Sequence, residues 1–347
     1  MFDFINIPFA WLLLTLYNFT NSYGLALILF AIITKVLLLY FSARGKKGMM
    51  QQQRLQPKQA KLQAQYKDDK QKYQEALNKL YQDEEVSPMS GCLWSLLPFP
   101  IMIALYSVIR LPLVNLMKLT TEQIDAVGLK VNELLAASGQ AVVNLQGAYS
   151  ELELAQQVHN FFPQIQQQLG DSASGLIDIN FKFLGINLAE IPPWPWDRLS
   201  WLILIPILSA GSAYLMSFIS QKVSKQPAPQ GSARTMLLLS PLLSLWFGFI
   251  MPAGMGVYWI TNNILGIAQD FVLTRHYTKI LDADDARKAE LETRRKTAEE
   301  EQRRIDREAR AERLAAKGDK KSKVYRVQNQ PKKKPPSRTD QPPQSEE

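Results

Sequence analysis

The sequence holds one cysteine, Cys92, and two histidines, His159 and His276. A single thiol excludes an intramolecular disulfide and any CxxC metal site, and two isolated imidazoles do not make a metal centre. No metal and no cofactor are expected. A Walker A loop, an HExxH pair, a GxSxG elbow and a pair of intramembrane aspartates are also absent. Ser212, within Ala210-Gly211-Ser212-Ala213, has no histidine in any other apolar run to act as its base, so the small residues there read as helix-packing positions. These absences argue against an enzyme. The stretch Ile5 to Phe19 lacks a basic flank and a convincing cleavage site. It reads instead as an amphipathic helix over residues 1–19 in the outer membrane interface, with Trp11 and Tyr17 as anchors.

What is present is a sharp partition between apolar and charged blocks. The 347 residues are 46% hydrophobic, and the apolar runs are long enough to suggest five membrane spans, at 20–41, 93–113, 199–220, 235–251 and 256–273. The predicted fold is therefore an all-α integral membrane protein with five transmembrane helices and soluble appendages. Residues 42–92 carry ten Lys/Arg against six Asp/Glu, the loop 221–234 carries three against none, and 274–347 carries twenty-one against fifteen. Residues 114–198 reverse this, with four against nine. By the positive-inside rule the first three segments are cytoplasmic, the last is external, the N-terminus is outside and the C-terminus inside.

Lys35 stands out, because it interrupts the apolar run Tyr23 to Phe41. At 1.5 Å per residue it would lie about 18 Å in from Tyr23 and about 10 Å from Ser42. A central lysine costs roughly 2.5 to 3.5 kcal/mol on insertion scales, and the surrounding Leu, Ile, Val and Phe residues offset it at about 0.3 to 0.6 kcal/mol each. The helix inserts, but it carries a charge that marks a functional site by default. The structural alternative is a snorkelling side chain whose amine reaches the headgroups.

Residues 42–92 are polar and rich in helix formers, with a break at Asp68-Asp69, and predict a cytoplasmic helical hairpin. The external segment 114–198 shows helical patterning over 120–135 and 150–169 and ends in Pro192-Pro193-Trp194-Pro195-Trp196, an interfacial aromatic cluster. Beyond residue 274 a helix with interleaved charges precedes a basic tail, 317–338, read as disordered. Its Lys317, Lys320, Lys321, Lys323, Arg326, Lys332, Lys333 and Lys334 suit either anionic lipids or ribosomal RNA phosphates.

Several ordered motifs resemble one family. Ser87-Pro88-Met89-Ser90-Gly91-Cys92, then Leu96-Leu97-Pro98-Phe99-Pro100-Ile101 and Ala104-Leu105-Tyr106, are similar to the second core span of the YidC/Oxa/Alb membrane protein insertases. Phe249-Ile250-Met251-Pro252-Ala253-Gly254 followed by Val257-Tyr258-Trp259-Ile260-Thr261-Asn262-Asn263 resembles that family's last hairpin, and Gln56-Pro57-Lys58 matches its cytoplasmic hairpin. The resemblance implies a chaperone and insertase of the compact Gram-positive type in a bacterial plasma membrane. Its groove would be hydrophilic, open to cytoplasm and lipid and closed outside, with Lys35 at the position of a basic residue that is usually arginine. Thr34, Tyr106, Ser107, Tyr214, Ser217 and Asn262 are then candidate groove lining, and Phe99, Ile101, Met102, Trp246 and Tyr258 a candidate exit surface to lipid. The implied partners are nascent membrane proteins and ribosomes, with participation of the Sec translocon left open. The rival class is a small-solute or ion transporter or channel using Lys35, against which stands the absence of an internal repeat.

Overall fold

The computed structural model describes residues 3–67, 69–87, 98–223 and 232–328. Two units are distinguished, Met1–Lys279 and Ile280–Glu347. The first opens with α1 (Asp3–Thr20) and α2 (Tyr23–Leu37). Asn21, at φ 49°, ends α1, since asparagine tolerates the left-handed region better than a branched residue does. Helix α1 packs on α2 and on α5 (Pro98–Arg110), burying Ala10 and Leu13 with Leu27, Phe30, Leu105 and Ile109. One side of α1 is thus core, a packing that its apolar pattern alone did not assign. Trp11 is exposed, but the Tyr17 hydroxyl donates to the Asp178 carbonyl at 3.2 Å and accepts from the Asn180 N–H at 2.9 Å. Tyr17 thus anchors α1 to protein.

The first apolar run is not one straight span. It ends at Leu37, turns through 60° at Leu38, and continues as α3 (Leu39–Gln65). Neither proline nor glycine stands at the bend, so no local signal announces it. Helix α4 (Lys70–Asp83) returns along α3, its N-terminus capped by Asp69, which accepts from the Lys72 N–H at 3.0 Å. Two lateral contacts join the hairpin: Lys58 pairs with Glu84, and Gln59 donates to the Tyr81 hydroxyl at 3.0 Å. Residues 88–97, including most of the Ser87–Cys92 motif and the start of the expected second span, lie outside the described residues.

After α5 the chain turns at Leu111-Pro112 into α6 (Thr121–Ala137) and α7 (Ser150–Leu169), which pack together. A capping box starts α6: Thr120 Oγ1 accepts from the Gln123 N–H while the Gln123 side chain accepts from the Thr120 N–H. A two-residue ribbon, β1 (Lys182–Phe183) with β2 (Ile186–Asn187), follows. This region is stitched to the helices. Tyr149 donates to the Ile250 carbonyl at 2.8 Å, and the carbonyls of Glu190 and Leu188 accept from the N–H groups of Ala253 and Gly254, both at 2.9 Å. Trp194 stacks between Trp196 and Phe249, with ring centroids 4.7 and 4.5 Å away.

A short 3-10 turn leads into α8 (Leu204–Val223), and together they make the one described helix long and apolar enough by itself to cross a membrane. Leu204, Ile207, Leu208, Leu215 and Phe218 are exposed along it, an apolar stripe that a water-soluble surface would not carry. Helix α9 (Ser232–Ile250) packs on α8, and Met251-Pro252 turns into α10, Ala253–Gln328. Small residues permit the close approaches: a Cβ on Gly256 would stand 2.2 Å from Ile205 Cγ2, and one on Gly248 2.8 Å from Pro206 Cα. In the second unit α10 continues to Gln328, held by pairs such as Arg294–Glu290 and Lys296–Glu292. The basic stretch from Lys317 is therefore helical as far as Gln328, not disordered as expected: no proline interrupts it before Pro331, and it is rich in Lys and Arg, good helix formers. Residues 329–347, with Lys332, Lys333 and Lys334, lie outside the described residues.

Gly24 is the tightest seam between α2 and the ribbon. A Cβ there would fall 2.2 Å from Phe183 Cγ. Gly24→Val should lower thermal stability in detergent by about 1–3 kcal/mol through overpacking. Gly211, with nothing within 4 Å of its virtual Cβ, should accept alanine without loss.

Candidate functional site

Helix α10 begins against α2 and α8, and its early residues set the site. Positions 258, 262, 266, 270 and 274 form one row at four-residue spacing, each step turning about 40° around the axis, so that neighbours in the row share a face. Tyr258 packs by its ring on Phe30 of α2, with centroids 6.3 Å apart. One turn on, the Asn262 backbone carbonyl accepts from Lys35 Nζ at 3.4 Å. The Asn262 carboxamide is turned back on its own helix, its Nδ2 donating to the Tyr258 carbonyl at 3.4 Å. Lys35 is half-buried in the last turn of α2, where the C-terminal end of the helix dipole favours a cation.

Around this contact lies a cleft of about 200 Å³, lined by Lys35, Phe99, Met102, Met216, Tyr258, Trp259, Asn262 and Asn263. Five of these side chains are aromatic or thioether, so the ammonium looks onto a mostly apolar wall. Gly266 keeps the floor low: a Cβ there would meet Met216 Cε at 2.8 Å and Lys35 Nζ at 3.5 Å. Asn263 donates to Ser212 Oγ at 2.9 Å, and Ser212 donates to the Ser209 carbonyl at 2.9 Å, which ties α10 to α8. Ser212 is thus an interhelical bridge.

Of the residues proposed from sequence, the cleft gathers Lys35, Asn262, Phe99, Met102 and Tyr258. Others are elsewhere. Thr34 is 2% exposed and does not line the cleft; its hydroxyl donates to the Phe30 and Ala31 carbonyls at 2.8 and 3.1 Å and also meets the phenol of Tyr258, which does line it. Tyr106 meets the Tyr149 hydroxyl at 3.1 Å, one link from the Ile250 carbonyl, in the layer stitched to the segment before α8. Burial and this pairing raise the Tyr149 phenol's pKa. Ser107 accepts from Asn6 of α1 at 3.1 Å. Tyr214 is half exposed and stacks on Phe218 at 6.3 Å; Trp246 is half exposed beside Phe247; Ser217 and Ile101 do not line the cleft. Spacing within an apolar run says that a side chain is polar but not which neighbour it meets. Met216, Trp259, Asn263 and Gly266 were missed, although the step of four from Tyr258 to Asn262 and Gly266 pointed to one face.

A larger cavity of about 410 Å³ opens between α7, the ribbon and the start of the 3-10 turn, lined by Gln156, Asn160, Asn180, Lys182, Asn187 and Glu190 among others. It is separate from the Lys35 cleft and shares no lining residue with it.

Apolar stripes turned outward and a lysine seated between helices define a helical membrane protein. The family model described as 60Kd inner membrane protein matches residues 15–280, and the chain belongs to that family. Similar relatives include the proteins named Membrane protein insertase YidC from Francisella tularensis subsp. novicida (strain U112), subsp. tularensis (strain SCHU S4 / Schu 4) and subsp. holarctica (strain LVS). Each is 26% identical over 277 residues, which is 80% of this chain and 37% of the relative. The chain spans little more than a third of the length of these relatives.

Gly266→Leu is expected to fill the cleft between Lys35 and Met216. The measurement is alkylation of Lys35→Cys by a water-soluble thiol reagent in a Cys92→Ser background. Adding Gly266→Leu should slow that labelling roughly tenfold or more, as a side chain of that size excludes water from a cleft this small.

Proposed function

We propose that this protein is a membrane protein insertase that lowers the barrier to placing newly made segments in the bilayer, through a cleft whose one fixed charge is Lys35. The observation that carries this reading is the partner of that lysine. Its Nζ meets a backbone carbonyl at 3.4 Å, among apolar side chains, and no carboxylate pairs with it among the described residues. The positive charge therefore stays available to a carboxylate on an incoming chain. The names carried by the YidC relatives support the same activity.

The physical task is to move the polar or acidic flank of a client across hydrocarbon, where each unpaired group costs several kcal/mol. A cleft that reaches into the bundle and carries one cation in a mostly apolar wall shortens that path, and Lys35 attracts the flank. Phe99, Met102 and Tyr258 then offer the client's apolar part a route toward lipid. Five spans, an external N-terminus, a cytoplasmic hairpin α3–α4 and a cytoplasmic C-terminus complete the arrangement, supported by the Lys/Arg asymmetry. The segment 114–198 would close the outer end, which its hydrogen bonds to the α9–α10 turn favour. Nascent membrane proteins are the partners this reading requires.

Charge should matter more than shape at Lys35. Lys35→Arg should retain insertion, whereas Lys35→Ala and Lys35→Glu should reduce it roughly tenfold, most for clients with acidic translocated tails, one lost charge contact being worth on the order of 1.4 kcal/mol. Normal insertion of every client by Lys35→Ala protein at wild-type levels would refute the groove-charge reading. Crosslinks from nascent chains to position 35 would separate it from a small-solute transporter.

The basic stretch from Lys317 is proposed to meet ribosomal RNA, with anionic lipid as its competitor. Truncation after Ala316 should abolish ribosome co-sedimentation in lipid-free detergent, and wild-type binding should fall steeply as salt rises. Absence of wild-type co-sedimentation under those conditions would leave the lipid contact alone.

A further inference from the structure

The second lysine facing α10 is seated quite differently from the first. Lys46 lies on α3, beyond the bend at Leu38, and is 6% exposed. Its Nζ is 2.5 Å from Asp270 Oδ1, and the two side chains are 5% and 14% exposed. Buried Gly45 and Gly48 flank it on α3. Asp270 stands in the same row of α10 as Asn262, two helical turns further along, about 12 Å at 1.5 Å per residue. Between them Gly266 carries no side chain, and beyond them Thr274 is 1% exposed. Asp270 Oδ2 and Thr274 Oγ1 are buried without a hydrogen-bond partner.

Such a pair is a poor way to hold two helices together. Removing both charges from water cancels much of their attraction, and apolar residues of the same volume often serve equally well or better. The two unmatched oxygens add a further desolvation cost. What an ion pair offers and an apolar contact does not is exchange: another carboxylate can replace Asp270 at Lys46, provided that the opening of the arm returns the released Asp270 carboxylate, 14% exposed at rest, to water.

We infer that Lys46 and Asp270 form a latch at the mouth of the Lys35 cleft, which pins the α3–α4 arm against α10 at rest and opens when a carboxylate of the incoming client displaces Asp270 from Lys46. The ligand class is an acidic segment flanking an apolar one. Past the exposed cations of the arm, such as Arg44, Lys46 is the buried cation that such a segment would reach before Lys35. The bend at Leu38 lies between the two lysines, so release of Lys46 frees the arm while α2 stays in the bundle. The inference rests on the insertase reading, and its test keeps the two apart.

Spin labels at Gln63→Cys and Lys279→Cys, both exposed positions, report the arm's distance from α10 in a Cys92→Ser background. The probe is an apolar peptide with two aspartates at one end, compared with its asparagine twin. The aspartate peptide should broaden and lengthen the distance distribution, and the asparagine peptide should not. Asp270→Asn should broaden it without any peptide. Lys46→Met with Asp270→Leu should hold the arm closed at undiminished thermal stability and lose roughly fivefold or more of the insertion of acidic-tailed clients, while clients with neutral tails are unaffected. The latch is overturned if Asp270→Asn leaves the distances unchanged, or if the apolar double variant inserts acidic-tailed clients at the wild-type rate while Lys35→Ala does not. If Lys35→Ala also inserts them normally, the groove reading itself has failed.

Discussion

The seating of Lys35 against a peptide carbonyl governs how the rest of the bundle is used. A carboxylate partner would have neutralised the charge and made the lysine a structural element. The Asn262 carbonyl satisfies one of three ammonium donors and leaves the net charge in place. The C-terminal end of the α2 dipole, in whose last turn Lys35 stands, acts to the same end. Lys46 is the internal contrast, since the same side chain one helix later is matched by Asp270 and nearly removed from solvent. One chain thus holds an unmatched and a matched lysine against a single row of α10, about 12 Å apart along its axis.

That placement requires α10 to sit close to both α2 and α8, and small residues make it possible. Gly254 lies under Leu27 and the Leu188 carbonyl, Gly256 under Ile205, and Gly266 under Met216. Each would clash or crowd with a Cβ, so the glycines act through the space they leave. The opposite end of the bundle is fixed by backbone hydrogen bonds from residues 188 and 190 to the first turn of α10, with Tyr149 and Tyr17 adding side-chain ties. The segment between α5 and α8, to which patterning alone assigned helices but no role, is thereby part of the frame that orients Lys35.

Features set by local chemistry were legible in the sequence. Asp69 caps α4 where a break was expected, Thr120 opens α6 with a capping box, and Lys35 marked itself by interrupting an apolar run. Features that depend on rotational phase were not. Tyr106 and Ser107 looked like cleft lining because they are polar in an apolar stretch, yet their partners are Tyr149, forty-three residues later, and Asn6, one hundred and one residues earlier. The bend at Leu38 has no proline or glycine to announce it. Asp270 fell inside the expected fifth span, 256–273, and was not singled out, because hydropathy does not tell a carboxylate which lysine of another helix it faces.

The arm formed by α3 and α4 buries few side chains beyond Leu55. Its two helices are joined by a partly exposed pair, Lys58 with Glu84, and by Gln59 to Tyr81, contacts of the kind worth about 0–1 kcal/mol each. These hold the hairpin's own shape and do not tie it to the bundle. Met50 and Leu55 are buried, but beyond Leu55 the arm buries no large apolar side chain until Val86. The attachment near the bend therefore falls on the first turns of α3, around Gly45, Lys46 and Gly48. On the latch proposal, a change of partner at Lys46 is applied near the root of α3, where a small rotation becomes the largest displacement at the tip of the hairpin.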